Sequence, residues 1–250
     1  TRRRDAYHFV HRADLIALLL QGARAAGVQI ALLQKVTAID LTGARPGWQT
    51  EGGARGQASL LVGADGLKSA LRGVLNGAGQ PFFTGQVAWR AIVPEPPGAA
   101  PVAEVHMAPG RHLVSYPLRG GTLRNIVAVE ERRTWVEEGW TLRDDTMDMQ
   151  LAFAGFSPRV RGWLDRVEDV WLWGLFSHPV AGVWQTALPQ GGAVILGDAA
   201  HPTLPFLAQG ASMALEDAWV LAACLASRPT FADALSAFQA ARQPRCTRIV

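Results

Sequence analysis

The sequence predicts a mixed α/β (α+β) fold in which a mainly antiparallel β-sheet domain is inserted between two parts of a strand-and-helix domain. Three observations carry this. Ala193 to Leu196 is a four-residue apolar run just after two glycines and just before a third, which suits a fully buried parallel strand better than a helix too short to persist. It runs into a loop stiffened by Pro202 and Pro205 and then, from about Ala211, into a long apolar helix. From Phe82 the pattern changes to longer strands of mixed face, broken by Pro-Gly and Gly-Gly turns. The expected division is 1–80 and 181–250 for the two parts of the outer domain and 81–180 for the inserted one.

With 250 residues, of which 49% are hydrophobic, the chain can bury a full core and is not of disordered type. The formal charge of +3 comes from arginine far more than from lysine and is dispersed, except for Arg2-Arg3-Arg4, which reads as a solvated or frayed end. Nucleic-acid binding is therefore not expected. Cys224, in an apolar helix, and Cys246 have no metal-ligand spacing and read as small hydrophobes of a reducing, cytoplasmic compartment. The longest apolar stretch, Ala218 to Ala226, is far shorter than the roughly 20 residues of a membrane span, and no signal peptide is recognised. There are no internal repeats.

In chain order, Arg12 to Ala26 is rich in helix formers, with Gly27 as a stop. Arg12 at its start opposes the helix dipole unless an anion is also present, and a planar guanidinium beside free N–H groups would suit a pyrophosphate. Val28 to Leu33, Lys35 to Leu41, Trp48 to Thr50 and Ser59 to Gly63 read as short strands. The last delivers Ala64-Asp65-Gly66-Leu-Lys-Ser69-Ala-Leu-Arg72, where Ser69 can cap a following helix. Gly85 to Pro94, Val102 to Met107, His112 to Leu118 and Leu123 to Glu131 form the antiparallel run, and Glu95 to Pro101 is a loop. Trp135 to Trp140 is irregular, Met147 to Phe153 and Pro158 to Val167 are helices, and Val170 to Phe176 returns as a strand. The final helices run from about Ala208 to Ala226 and from Phe231 to Arg242, with Pro229 between them.

Asp198 falls just past the carboxyl end of the strand ending at Leu196, the edge where ligands bind in open α/β sheets, and its carboxylate can accept hydrogen bonds from sugar or polyol hydroxyls. Gly210 allows backbone to approach a ligand, and the helix that follows presents free N–H groups to an anionic or electron-rich ring system. The string Gly197-Asp198-Ala-Ala-His201-Pro-x-x-Pro205, followed by Gln209-Gly210-Ala211 and Leu215-Glu216-Asp217-Ala218, resembles the second flavin-binding motif of the FAD-dependent aromatic hydroxylases. These single-component flavoprotein monooxygenases include salicylate, 3-hydroxybenzoate and p-hydroxybenzoate hydroxylases. The stretch from Gly63 to Arg72 resembles the family's middle motif, and the two occur in the family's order with over a hundred residues between them. His11-Arg12-x-x-Leu15 resembles a third element.

The resemblance implies a partial FAD-binding Rossmann-like domain carrying an inserted substrate domain. It implies FAD contacts from Arg12, Asp65, Gly66, Arg72, Gly197, Asp198, Pro205, Gly210 and Ala211, with Asp198 on the ribityl chain and Pro205 beside the reactive face of the ring system. It also implies hydroxylation of a phenolic acid-like substrate by NAD(P)H and O2 through a flavin C4a-hydroperoxide. That chemistry needs the ring held close, a phenolic proton removed and water kept out. A histidine of near-neutral pKa suits the proton step. His112 and Tyr116, four apart on a predicted strand, point to one face, and His-x-x-x-Tyr resembles the substrate-contacting pair of the 3-hydroxybenzoate-type enzymes. These two and Pro205 are the catalytic candidates, and His112, Tyr116 and Arg90 the substrate-binding ones. Arg90 could meet a substrate carboxylate or the flavin edge, or be a sheet arginine paired with Glu104 or Glu130, the last being slightly favoured. His201 is either structural or a neighbour of the flavin.

Two departures qualify the resemblance. The 3-hydroxybenzoate-type enzymes carry glutamine where Pro205 stands, whereas the p-hydroxybenzoate enzyme has proline, so the substrate is left open. No Gly-x-Gly-x-x-Gly lies between a strand and a helix, so the likeness begins inside the family's first domain, and an N-terminally truncated chain with weak or no FAD retention is expected. The alternatives are a non-catalytic fragment and a related flavoprotein acting on a non-aromatic substrate. NADH or NADPH, and monomer or homo-oligomer, are left open.

Overall fold

A computed structural model describes residues 8–79, 81–96, 98–132 and 142–250. The Arg2–Arg4 triplet and the Trp135–Trp140 stretch lie outside these residues. The elements in chain order begin with α1 (Arg12–Ala25), β1 (Val36–Asp40), β2 (Gly47–Thr50), β3 (Arg55–Gln57), β4 (Leu60–Gly63) and α2 (Ala70–Asn76). Next come β5 (Phe82–Pro94), β6 (Glu104–Ala108), β7 (Arg111–Leu118), β8 (Leu123–Glu131), β9 (Arg143–Asp144), α3 (Thr146–Ala152), α4 (Pro158–Leu164) and β10 (Val170–Ser177). The chain ends with β11 (Gln185–Leu188), β12 (Gly191–Ile195), α5 (Gly210–Ser227) and α6 (Phe231–Ile249). Two compact units result, one of residues 1–30 with 83–175 and one of residues 31–82 with 176–250. The first helix thus groups with the large sheet.

In the first unit, the six-stranded sheet runs β6-β7-β8-β5-β10-β9, and the β6–β7, β7–β8, β5–β8 and β9–β10 pairs are antiparallel. Alternation sorts its side chains. Trp89, Ala91, Val93, Leu113, Ile126, Ala128 and Leu172 form a core with Met149 and Phe153 from α3 and its C-terminal end and Val160, Trp163 and Leu164 from α4. Arg90, His112, Tyr116, Asn125 and Trp173 occupy the alternate positions on their strands and belong to the opposite face. α1 begins as its sequence suggests, with His11 Nδ1 accepting the Ala13 N–H at 3.2 Å, and Asp14 in its first turn paired with Arg119 at 2.8 Å. It buries no residue, and Ile16, Leu18 and Leu19 are exposed.

In the second unit, β12 pairs parallel with β4, Gly192 opposite Leu60 and Ile195 opposite Gly63, and antiparallel with β11. Every residue of β12 is buried, the environment that its continuous apolar run predicts. α5 and α6 close over this sheet through Met213, Leu221, Leu235, Phe238 and Cys246. Gly191 permits the close fit, because a Cβ there would collide with the Ser59 carbonyl oxygen, whose carbonyl also accepts the Gly192 N–H at 2.9 Å and so cannot yield. Gly191→Ala should therefore lower stability by about 1–3 kcal/mol, read as a shift in the urea midpoint at unchanged m-value. An unchanged midpoint would mean that the β12–β4 edge is more pliable than this geometry allows.

Three expectations are corrected. Val28 to Leu33 forms no strand: Leu32 and Leu33 are exposed, Leu33 has a φ of 58°, and no described strand lies beside the segment to complete a ladder. α6 continues past Arg242 to Ile249 through Pro244, anchored by the buried Cys246. Short strands β3, β9 and β11, absent from the sequence reading, are present because each finds a partner strand.

Candidate functional site

The strand-loop-helix around Asp198 is held from all sides within its unit. After β12, Gly197 turns the chain at a φ of +59° and begins a 3₁₀ turn, Gly197–Ala199. Residues 197 and 199–202 are buried, whereas Asp198 is exposed and its carboxylate accepts no hydrogen bond among the described residues. A Cβ on Gly210 would lie 3.1 Å from Thr203 Oγ1 and 3.9 Å from Asp198 Oδ1, so that glycine keeps the space over the carboxylate open. The first turn of α5 has no side-chain cap, leaving Gly210 and Ala211 at an N-terminus with unclaimed N–H groups. An uncapped helix end beside an unpartnered carboxylate fits a ligand with both electron-rich ring atoms and hydroxyls, and FAD has both. Pro205 opens a second 3₁₀ turn, Pro205–Leu207, and is exposed.

Behind the loop, other side chains support it. Arg72 donates to the carbonyls of Pro179 at 2.5 Å, Ala199 at 3.2 Å and Ala200 at 3.5 Å. Burial alone holds its pKa below the ordinary arginine value. Asp65 accepts the Ala70 N–H at 2.8 Å and Ser69 Oγ accepts the Arg72 N–H, so the middle motif caps α2, with Gly66 at a φ of +75° making the turn. His201 is fully buried and lies with Nε2 2.5 Å from Asp217 Oδ2. Although burial disfavours its charged form, the Asp217 carboxylate wins and raises its pKa to about 9. His201 therefore belongs to the interior and not to the ligand side.

Arg242 Nε bonds Asp217 Oδ1 at 2.7 Å, and its far nitrogen lies 3.8 Å from Cys246 Sγ. His201, Asp217 and Cys246 place potential ligand atoms within 4.8 Å of one another, yet imidazolium and guanidinium already supply the positive charge that a metal would bring.

In the other unit, a cavity of about 270 Å³ is lined by His11, Arg12, Arg90, Tyr116, Asn125, Trp171 and Trp173 together with Val10, Ala91, Ile92 and Leu118. It brings together Arg12, Arg90 and Tyr116. The Arg90 guanidinium lies 4.7 Å from the Trp173 ring centroid, and Tyr116 stacks on Phe9 at 5.2 Å. Burial lowers the Arg90 pKa, opposed by Tyr116 and assisted by Arg12. Two cations and three aromatic rings around one small space favour a flat anion.

The favoured pairing of Arg90 with Glu104 or Glu130 is not the one found. Glu130 binds Arg111 and Arg132, and Glu104 binds Arg159 at 2.6 Å. His112 shares the sheet face but not the cavity wall: it stands opposite Val129 and Tyr116 opposite Asn125, so their Cα atoms are about 13 Å apart. Burial lowers the His112 pKa, leaving the ring neutral and able to accept a proton at neutral pH. Sequence reasoning missed Trp171, Trp173 and Asn125, which a strict period-two reading of β8 and β10 would have placed beside Arg90 and Tyr116.

The fold and the loop define a flavin-binding class of protein, and comparison places the chain within it. It belongs to the FAD-binding domain family, whose profile matches residues 3–250. It is 33% identical to 3-amino-4-hydroxybenzoate 2-monooxygenase PtnB3 of Streptomyces platensis over 97% of this chain and 61% of that protein. It is 34% identical to the 3-hydroxybenzoate 6-hydroxylase of Klebsiella oxytoca over 98% of this chain and 62% of that protein. The chain thus spans about three fifths of the length of these curated relatives. Among solved structures, a salicylate hydroxylase substrate complex superposes with a TM-score of 0.79 at 25% identity, covering 96% of this chain and 63% of that one. Klebsiella pneumoniae HpxO complexed with FAD and uric acid gives the same TM-score at 24% identity, over 96% of this chain and 60% of that one, a likeness of fold alone.

Proposed function

We propose that this chain is the greater part of an FAD-dependent monooxygenase that hydroxylates a small phenolic acid with NAD(P)H and O2. The observation that carries the reading is Asp198, an unpartnered carboxylate set between buried neighbours at the mouth of an uncapped helix, in a chain of the FAD-binding domain family. Bound FAD would supply reducing equivalents and the activation of oxygen. In this proposal residues 1–80 and 181–250 are the flavin side and 81–180 the substrate side. Asp198, Gly210 and Ala211 hold the flavin directly, while Gly197, Asp65, Gly66 and Arg72 shape and brace the loops around it. Arg12 adds positive charge for a phosphate or a carboxylate, and Pro205 borders the ring.

On the substrate side Arg90 holds the carboxylate and the Trp173 ring keeps that guanidinium in place. Tyr116 contacts the phenol end, whereas His112, off the cavity wall and about 13 Å farther along β7, is too distant to take the phenolic proton directly. Names of the relatives support an aromatic acid, since 3-hydroxybenzoate and aminohydroxybenzoate appear among them. The test is FAD retention after gel filtration, followed by NAD(P)H oxidation with a panel of hydroxybenzoates and their carboxamides. Arg90→Met should raise KM for the acids about 10–100-fold, the loss of one charge-assisted hydrogen bond, and leave the carboxamides almost unaffected. Equal effects on acids and carboxamides would remove Arg90 from the carboxylate.

A further inference from the structure

The buried polar cluster behind the Asp198 loop has more charge than a helix contact requires. Asp217 on α5 accepts three hydrogen bonds: from His201 Nε2 at 2.5 Å, from the Gly197 N–H at 2.9 Å and from Arg242 Nε at 2.7 Å. One carboxylate thereby ties both ends of the Gly197–His201 turn to α5 and, through Arg242, to α6. The groups facing His201 are Asp217 on α5 and Arg242 and Cys246 on α6, with the Trp184 ring 5.3 Å away. Glu216 and Arg245 extend the network to the surface, Arg242 and Arg245 each bonding Glu216 at 2.7 Å. His201 Nδ1 has no nitrogen or oxygen partner and is fully enclosed.

We propose that His201 is a positioning residue: paired with Asp217 as an imidazolium, it locks the Gly197–His201 turn so that Asp198 and the first turn of α5 are held in place before any ligand arrives. The local backbone alone does not suffice for this. The turn contains a left-handed glycine and lies between a strand and a 3₁₀ segment, so its own hydrogen bonds are Ala200 N–H and His201 N–H to the Gly197 carbonyl, at 2.8 and 2.9 Å. Arg72 grips its carbonyls from one side and Asp217 its amide end from the other. Only His201 joins the far end of the turn to the same carboxylate that holds the near end. A ligand meeting a prearranged loop does not have to bear the cost of ordering it.

The inference rests on Asp198 being the flavin-loop carboxylate, and its test separates the two ideas. Histidine-ring ¹⁵N spectra and amide hydrogen exchange of residues 191–213 are measured on the full chain, with FAD affinity followed by fluorescence, for the wild type, His201→Gln and Asp198→Ala. The expected result is a His201 ring doubly protonated at pH 8, and at least about tenfold faster exchange of the Gly197 to His201 amides in His201→Gln, with FAD affinity reduced by a similar factor. Asp198→Ala should lose FAD affinity with exchange unchanged. A neutral His201 ring at pH 7, or wild-type exchange in His201→Gln, overturns the lock. If the wild type binds no FAD, or Asp198→Ala binds it normally, the flavin reading fails while ring protonation and exchange still decide the lock. Should His201→Gln unfold, the wild-type ring spectrum and the exchange rate at pH 7 against pH 10 decide it, the lock requiring faster exchange at pH 10 beyond the intrinsic base-catalysed rise.

Discussion

Asp217→Ala is expected to remove about 3–5 kcal/mol of folding stability, because it takes from the buried His201 its carboxylate partner and from Arg242 one of two. His201 is fully buried and Arg242 is 4% exposed, and both bond the same carboxylate. Arg242 keeps Glu216 at 2.7 Å, so the larger part of the loss falls on His201. Asp217→Asn should cost less, since an amide oxygen can still accept the Gly197 N–H.

The pH profile supplies a second reading of the same network. The folded-state pKa of His201, about 9, lies above its unfolded value, so its contribution is complete below about pH 6.5 and is lost as the pH rises through 9. Glu216 lies at about 2, held down by Arg245 and Arg242, so its contribution is complete above about pH 4.5 and disappears toward pH 2. Urea midpoints between pH 2 and 10 should show both limbs in the wild type, and in Asp217→Ala the alkaline limb should flatten. A loss below about 1 kcal/mol, the scale of a surface ion pair, together with an unchanged alkaline limb, would show that the network is not load-carrying.

This cluster also marks how far the sequence could be read. The Gly197–Asp198 turn was legible because its cause is local: an apolar run too short for a helix, then proline and glycine, then helix formers. The start of α1 was legible for the same reason, and the period-two alternation of β7 placed His112 and Tyr116 on one face. Pairings made across the chain were not. His201, Asp217 and Arg242 are separated by 16 and 25 residues, and nothing in Leu215-Glu216-Asp217 distinguishes a buried acceptor from a solvated helix carboxylate. Val28 to Leu33 has the composition of a strand but no neighbour to complete it, whereas Gln185 to Leu188 has an unremarkable composition and becomes one beside β12. The partners of Arg90 were misjudged because charge alone cannot show that Arg111, Arg132 and Arg159 reach Glu130 and Glu104 first.

Trp89→Ala is the second large effect, again about 3–5 kcal/mol, and it tests the division of the β-sheet into a core face and a ligand face. The Trp89 ring is fully buried, edge-on to Phe153 at 6.1 Å, with the Arg132 guanidinium 4.6 Å from its centroid and its Nε1–H donating to Asp144 Oδ2 at 2.6 Å. Alanine would open a cavity between the sheet and α3 that neighbouring side chains can fill only in part. Trp89→Phe should cost nearer 1 kcal/mol, since a ring still fills most of the space and Asp144, half-buried, can bind water instead. The adjacent residue, Arg90, faces the 270 Å³ cavity on the other side of the same strand. The two neighbours should therefore dissociate: Trp89→Phe lowers the urea midpoint and keeps affinity for an aromatic acid, whereas Arg90→Met loses the affinity and keeps the midpoint. If both variants lost both properties together, core and cavity would be coupled through β5, and the assignment of carboxylate binding to Arg90 alone would not survive.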